Sequence, residues 1–247
     1  MSKVELVVTD LSGHHAQNLP ETVSRLQRGG SWHTQRIVVI IPSADMISVK
    51  VMMSLWNLAF PPNNGVAKIA ALGDEVGVAY STAIESVLNH PQLKDWEYIL
   101  TVEHDNIPPV DGVIKLVERM EQHPELACIG GLYFCKGPQG CSQIWGDVRD
   151  PIPNFRPQLP DLNGGLVECC GTGMGFNLWR LSMFKDERLK RPWFRTLNGK
   201  DGNGIATQDL AFWADARKYG YRCAIDCSVR VGHIDITGAF GIKDFVW

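Results

Sequence analysis

No stretch of this 247-residue chain approaches the roughly 20 apolar residues that a membrane-spanning helix needs, so no such helix is expected. Met1 to Asp10 alternates charged and apolar residues and lacks the basic-then-apolar layout of a signal peptide. An excess of basic charge is also missing. Lys and Arg number 24 against 27 Asp and Glu, a formal net charge of -3, which argues against gripping nucleic acid through overall charge. Internal repeats and low-complexity segments are absent, which sets aside solenoids and linkers. Close Cys-x-x-Cys pairs of the structural zinc kind are lacking, since Cys135…Cys141 and Cys223…Cys227 have other spacings. The seven cysteines are an odd set, with Cys169 and Cys170 adjacent. They suit free, mostly buried thiols in a reducing cytosol better than a secreted disulfide framework, so a cytoplasmic location is expected.

What is present is ordinary for a globular protein: 45% hydrophobic and 21% charged residues, with length enough for one large α/β domain over 1–247. Val4 to Val8 reads as a short strand and Pro20 to Gln27 as a helix. Arg36 to Ile41 is a buried strand leaving the core at Pro42-Ser43, and a helical segment follows from about Ser48 to Leu58. Pro61 to Gly65 signals a loop. Val66 to Leu72 is a second buried strand, Val78 to Leu88 a helix, Glu97 to Val102 a third strand, Asp111 to Gln122 a helix and Ala127 to Phe134 a fourth strand. Strands alternating with helices predict a mainly parallel sheet covered on both faces, with ligands beyond the carboxyl ends of its strands. From Cys135 to Leu166 the pattern dissolves into Gly, Pro and isolated aromatics, a length that points to a functional loop. Thr207 to Tyr219 is a helix with Thr207 as N-cap and Gly220 closing it; Arg222 to Val231 is a last strand.

Four constellations carry chemistry. Glu103 and Asp105 end the third strand two residues apart, so on a strand both carboxylates face one side. A hard divalent cation sharing phosphate oxygens would relieve their repulsion; a plain polar turn fits the same residues. His233 follows Gly232 after the last strand and suits a metal ligand, a surface residue or a satisfied core histidine. Asp209 sits in the first turn of a helix, where the dipole alone favours it and where it could also serve as a base or hold an acceptor. Gly171-Thr-Gly-Met-Gly175 permits close backbone approach, but no Gly-Lys-Ser/Thr follows and the spacing is not that of a dinucleotide fingerprint.

Taken in order, Pro42-Ser43, Glu103-His104-Asp105, Gly171 to Gly175, Thr207-Gln208-Asp209 and Gly232-His233 resemble the GT-A-fold glycosyltransferases, especially short family-2-like enzymes of the kind found among phages. The likeness spans about Arg36 to His233. It implies a single Rossmann-like domain, with a nucleotide-sugar-binding half over 36–134 and an acceptor-side half over 135–247. The family's Asp-x-Asp is here Glu-x-Asp, so the resemblance implies Asp105 and His233 as ligands of Mn²⁺ or Mg²⁺, with Glu103 and His104 on the donor side. Pro42, Ser43, Ala44, Gly73, Asp74, Ser81 and Gly173 are the implied further donor contacts, although the family's frequent Arg-Asn pair is replaced by Tyr80-Ser81. Asp209 is the implied catalytic residue. Gln208 stands in place of its usual acidic partner, which leaves inversion and retention both open.

The expected activity is transfer of a sugar from a nucleoside-diphosphate sugar to a hydroxyl acceptor, a glycan or DNA with a hydroxymethylated base. Trp145 and Trp193 are the expected acceptor-side stacking surfaces, with Trp179 closer to the core. Arg180, Lys185, Arg188, Lys190, Arg191, Arg195 and Lys200 form either a basic acceptor face or a solvated surface. Two other classes fit a parallel sheet with carboxylates: a nucleotidyltransferase, whose Gly-rich basic signature after the first strand is missing, and a non-catalytic sugar-nucleotide-binding module.

Overall fold

The structure, a computed structural model, describes residues 36–61, 65–135, 140–150, 154–198, 204–235 and 243–245. The expected elements at Val4–Val8 and Pro20–Gln27, and Lys200, lie outside the described residues.

The first half alternates as its hydrophobic pattern dictates. Strand β1 (Ile37–Ser43) leads to helix α1 (Val49–Trp56), β2 (Val66–Leu72), α2 (Val76–Asn89), β3 (Tyr98–Val102), the short β4 (Asn106–Ile107), α3 (Gly112–Gln122) and β5 (Cys128–Leu132). The second half contributes β6 (Ile144–Asp147), β7 (Leu166–Thr172), β8 (Phe176–Arg180), β9 (Leu197–Asn198), β10 (Gly204–Ala206), α4 (Gln208–Ala216), β11 (Cys223–Arg230), β12 (Gly232–Asp235) and β13 (Lys243–Phe245).

An eight-stranded sheet runs in the order β2-β1-β3-β8-β5-β11-β7-β6. Here the expected mainly parallel sheet needs correction, because the sheet is mixed. β1 pairs parallel with β2 and β3, and β5 with β11. β8, however, lies antiparallel to both β3 and β5, and β7 is antiparallel to β11 and β6. A reversed strand between two like-directed ones needs no helical crossover on either side, so helix–strand alternation in the sequence does not register it. β12 forms a small separate sheet with β4 and β13.

Successive residues of the central strands feed two cores. Val38, Ile40, Ile99 and Trp179 pack with Tyr80, Ile84 and Val87 of α2 and Phe212 and Trp213 of α4. Ile37, Val39, Tyr98, Leu100 and Leu178 pack with Val113, Ile114, Leu116 and Val117 of α3. Burial on both faces is why these strands read as unbroken apolar runs.

The first core is unusually aromatic. Trp179 stacks on Trp213 with ring centroids 5.3 Å apart and planes 17° from parallel. Their indole N–H groups are satisfied by threonines: Trp179 donates to Thr101 Oγ1 at 3.0 Å and Trp213 to Thr172 Oγ1 at 3.3 Å. Trp213 is one helical turn beyond Asp209, on the same side of α4, so this stack fixes α4 against β3 and β8.

Candidate functional site

Register sets where the strands end. Ser43 of β1 is level with Leu72 of β2, and Ile40 is level with Thr101 of β3, so the segments after all three strands open onto one edge. A cleft of about 260 Å³ lies there, lined by Pro42, Ser43, Ala44, Asp74, Val76, Glu103, His104 and Asp105. Gly73 supports its rim. Its φ of 85° lies in the left-handed region, and its N–H donates to the Ser43 carbonyl at 3.1 Å, tying the β1 and β2 turns together. Glu75 caps α2 beside the cleft by accepting from the N–H groups of Gly77 and Val78.

Asp74, Glu103 and Asp105 bring three carboxylates to this cleft, and among the described residues neither Lys nor Arg lines it. An anionic ligand would meet like charge there unless a cation entered with it.

Asp105 and His233 are both buried, at 8% and 7% exposure. The backbone brings them together: Asn106 of β4 pairs with His233 of β12, and Ile234 donates its N–H to the Asp105 carbonyl at 2.8 Å. His233 Nδ1 lies 2.7 Å from the Phe134 carbonyl. A carbonyl only accepts, so Nδ1 carries the proton. In the neutral ring Nε2 then presents its lone pair on the side of Asp105, with Nε2 and Oδ2 3.5 Å apart. Ligating histidines are commonly oriented in this way, one ring N–H on a backbone carbonyl and the other nitrogen on the metal. Among the described residues no group of three or more His, Cys, Asp or Glu could hold a metal unaided. The pair therefore fits a cation whose other positions are filled by ligand oxygens and water, a common arrangement for Mg²⁺ with phosphates.

Asp209 does not line the cleft but lies close behind it. Its charge, with those of Glu103 and Asp105, helps hold the Tyr80 and Tyr133 phenols well above their ordinary range, after burial as the main cause. Burial also raises the Asp209 carboxyl, against hydrogen bonds from Thr207 and the Leu210 N–H that hold it down. The Leu210 bond is 2.9 Å long. Thr207 occupies the expected N-cap position, but its side chain makes no capping bond to the helix backbone and serves Asp209 instead.

Other selected residues fall elsewhere. Ser81 is buried and its Oγ accepts from the Phe194 N–H at 3.1 Å, so it anchors a loop and does not face the cleft. Gly173 is enclosed by protein: a β-carbon there would stand 2.6 Å from Gln143 Oε1 and closer still to the Tyr133 hydroxyl. Packing alone is enough to require the glycine. Trp193, expected as an acceptor-side surface, is only 2% exposed; it meets Phe184 edge-on, with Arg191 over its ring. Trp145 is half-buried on β6 and donates to Gln143 Oε1 at 2.7 Å. Much of the basic surface is locally balanced. Arg188 pairs with Asp186, Arg191 with Glu85, and Arg180 donates to the carbonyls of Met120, His123 and Leu126 at the end of α3. A second cavity, about 290 Å³, lies between Pro124–Ala127 and Tyr219–Tyr221, lined by Arg180 and Arg188 and away from the carboxylates.

Sequence reasoning missed Tyr133 and Phe134. Tyr133 accepts from the Gly175 N–H at 2.9 Å and meets the His233 ring edge-on at 5.5 Å. Phe134 acts through its backbone carbonyl, which residue type does not disclose. Their place just past the carboxyl end of β5 was the available signal.

No protein-family model matches the chain, and no curated protein matches it. Among solved structures it is similar to one described as the crystal structure of A197 from STIV. That match has a TM-score of 0.57 at 16% identity and covers 81% of this chain and 85% of the other. The likeness supports the α/β fold, with its large central sheet flanked by helices, and carries nothing further. Among the described residues no helix is long and apolar enough to cross a membrane.

Proposed function

We propose that this chain is a metal-dependent glycosyltransferase of GT-A-like architecture, moving a sugar from a nucleoside-diphosphate sugar to a hydroxyl acceptor. One observation carries the proposal. The cleft at the ends of β1, β2 and β3 gathers Asp74, Glu103 and Asp105 with no lysine or arginine in its lining among the described residues, and His233 turns Nε2 toward Asp105. Such a cleft suits a diphosphate only when a divalent cation accompanies it.

Asp105 and His233 would hold Mn²⁺ or Mg²⁺, which when bound would offset the charge developing on the leaving nucleoside diphosphate. The backbone turns at Pro42–Ala44 and Gly73–Asp74 would border the nucleotide, and Glu103 and His104 the ribose or sugar. Asp209, raised by burial, is suited to take the proton of an acceptor hydroxyl. The Leu210 N–H and Thr207 hydroxyl orient its carboxylate for that role. With Trp193 in the core, Trp145 is the remaining aromatic candidate on the acceptor side, and a glycan or a hydroxymethylated DNA base is the proposed acceptor class.

Thermal-shift measurements with UDP- and GDP-sugars, with and without Mn²⁺, test the donor half. Metal-dependent stabilisation by a nucleotide-sugar is expected, and its absence across both series would overturn the proposal. Mass spectrometry of products with pooled donors and acceptors, DNA included, tests the transfer half. Donor binding with no product would favour a binding module, and nucleotidyl transfer onto a sugar phosphate would favour a nucleotidyltransferase.

A further inference from the structure

Outside the cleft, a pair of thiols stands where the chain turns back between β5 and β6. Tyr133–Cys135 and Cys141–Gln143 form two antiparallel arms. Gln143 donates its N–H to the Tyr133 carbonyl at 2.9 Å, Phe134 bridges to Ser142, and Cys135 donates its N–H to the Cys141 carbonyl at 2.8 Å. Cys135 and Cys141 are therefore direct cross-strand partners, with sulfurs 3.4 Å apart. Both are half-buried, whereas Cys128, Cys169, Cys170, Cys223 and Cys227 are sealed in the core. Cys169 and Cys223 also face each other, at 3.9 Å, but without access from solvent. Closing the outer pair asks the sulfurs to approach from 3.4 Å to the roughly 2.05 Å of a disulfide.

The same arms hold His233. Phe134, one residue before Cys135, receives the imidazole Nδ1–H, and Tyr133 packs its ring edge-on against that imidazole. We propose that Cys135 and Cys141 are a reversible redox-modification site, oxidised by a small-molecule disulfide to a cross-link that alters how the arms seat His233.

The exchange balances without another reactant. The Cys141 thiolate attacks one sulfur of the small disulfide, giving a mixed disulfide and expelling one small thiolate, which takes up a proton. Cys135 then loses its proton to solvent and attacks the Cys141 sulfur, expelling the second small thiolate, which likewise takes up a proton. The protein yields two protons and two electrons, and the small disulfide, reduced to two thiols, takes up both. Burial, with the adjoining Cys141 thiol, raises Cys135 to about 11, which disfavours its thiolate until a mixed disulfide stands beside it. Gln143 Nε2, 2.8 Å from the Cys135 sulfur, is placed to steady the thiolate as it forms. None of this depends on sugar transfer.

The test uses the full chain, unfolded by nothing and compared in excess oxidised glutathione and in dithiothreitol. Oxidation is expected to remove about 2 Da, two hydrogens, from the intact mass, with peptide mapping placing the link at Cys135–Cys141 and dithiothreitol reversing it. Cys135→Ser and Cys141→Ser should each abolish the loss, and differential alkylation of the wild type gives the same information without a variant. The ¹⁵N resonances of the His233 ring, identified by comparison with His233→Gln, should move on oxidation in the wild type and stay fixed in Cys135→Ser. A lasting single glutathione adduct, a link between core cysteines, or a cross-link that leaves the His233 resonances unmoved would each overturn the proposal.

Discussion

His233 and Asp105 face each other across 3.5 Å because β4 and β12 pair, and the proton on His233 Nδ1 is committed to the Phe134 carbonyl. Nε2 thus faces a carboxylate, and a cation between or beside them would meet one ligand atom from each side chain. Asp105→Asn should keep the fold and lose Mn²⁺-dependent stabilisation by a nucleotide-sugar. Loss of outer-sphere partners alone commonly costs about 10–100-fold in metal affinity, so His233→Ala should weaken Mn²⁺ binding at least that much. Isothermal titration with Mn²⁺ checks both, and wild-type affinity in either variant would return that residue to a structural role.

Asp209 offers a prediction in pH. Its folded-state carboxyl is raised by burial, so the folded protein binds the proton more tightly than the unfolded chain does. The stability this contributes is fully present below the ordinary carboxylate range and is lost as pH rises through the raised value. Asp209→Asn, which keeps an oxygen for the Leu210 N–H, should therefore gain in melting temperature over wild type at pH 7 and gain less near pH 3. Equal differences at both pH values would contradict the burial assignment. Transfer activity should be lost in the same variant while donor binding persists.

Tyr80 is fully buried, and its hydroxyl has no hydrogen-bond partner among the described residues. An unsatisfied buried hydroxyl commonly costs about 1–3 kcal/mol. Tyr80→Phe retains the ring contact with Phe194 and should be neutral or up to about 1 kcal/mol more stable by chemical denaturation. A marked destabilisation would mean that the hydroxyl has a partner.

Trp193 separates a surface role from a core one. Truncating a buried tryptophan costs about 3–5 kcal/mol, so Trp193→Ala should lower stability by that order, whereas an exposed stacking residue would barely register. Trp145→Ala, at a half-buried edge position, should cost less and act mainly on the acceptor KM.

The first half of the chain was legible because β1, β3 and β5 are buried on both faces and its helices carry a clear period, whereas β2, expected as a buried strand, is a partly exposed edge strand. The expected strand ends at Leu72 and Val102 match and that at Ile41 falls two residues short of Ser43, and with them came Pro42, Ser43, Ala44, Asp74, Glu103, His104 and Asp105, which the structure gathers in one cleft. The reversed β8 was not legible. Phe176 to Arg180 is buried much as the strands beside it are, and direction leaves no mark on composition. The glycines of Gly171–Gly175 misled for a related reason. Close approach was correctly inferred, and the approaching groups include the protein's own Tyr133, Gln143, Asn106 and Trp213. Trp193 failed because an indole suits a core as well as a surface. The Phe134 carbonyl could not have been chosen by type, since every residue carries one.

The stacked indoles of Trp179 and Trp213 give the molecule an optical signature of its own. Two chromophores this close and with nearly parallel planes share their excitation, so near-ultraviolet circular dichroism reports their mutual angle and not merely their burial. Since α4 carries Trp213 one turn from Asp209, any ligand that tilts the start of that helix writes its arrival into the spectrum without a label.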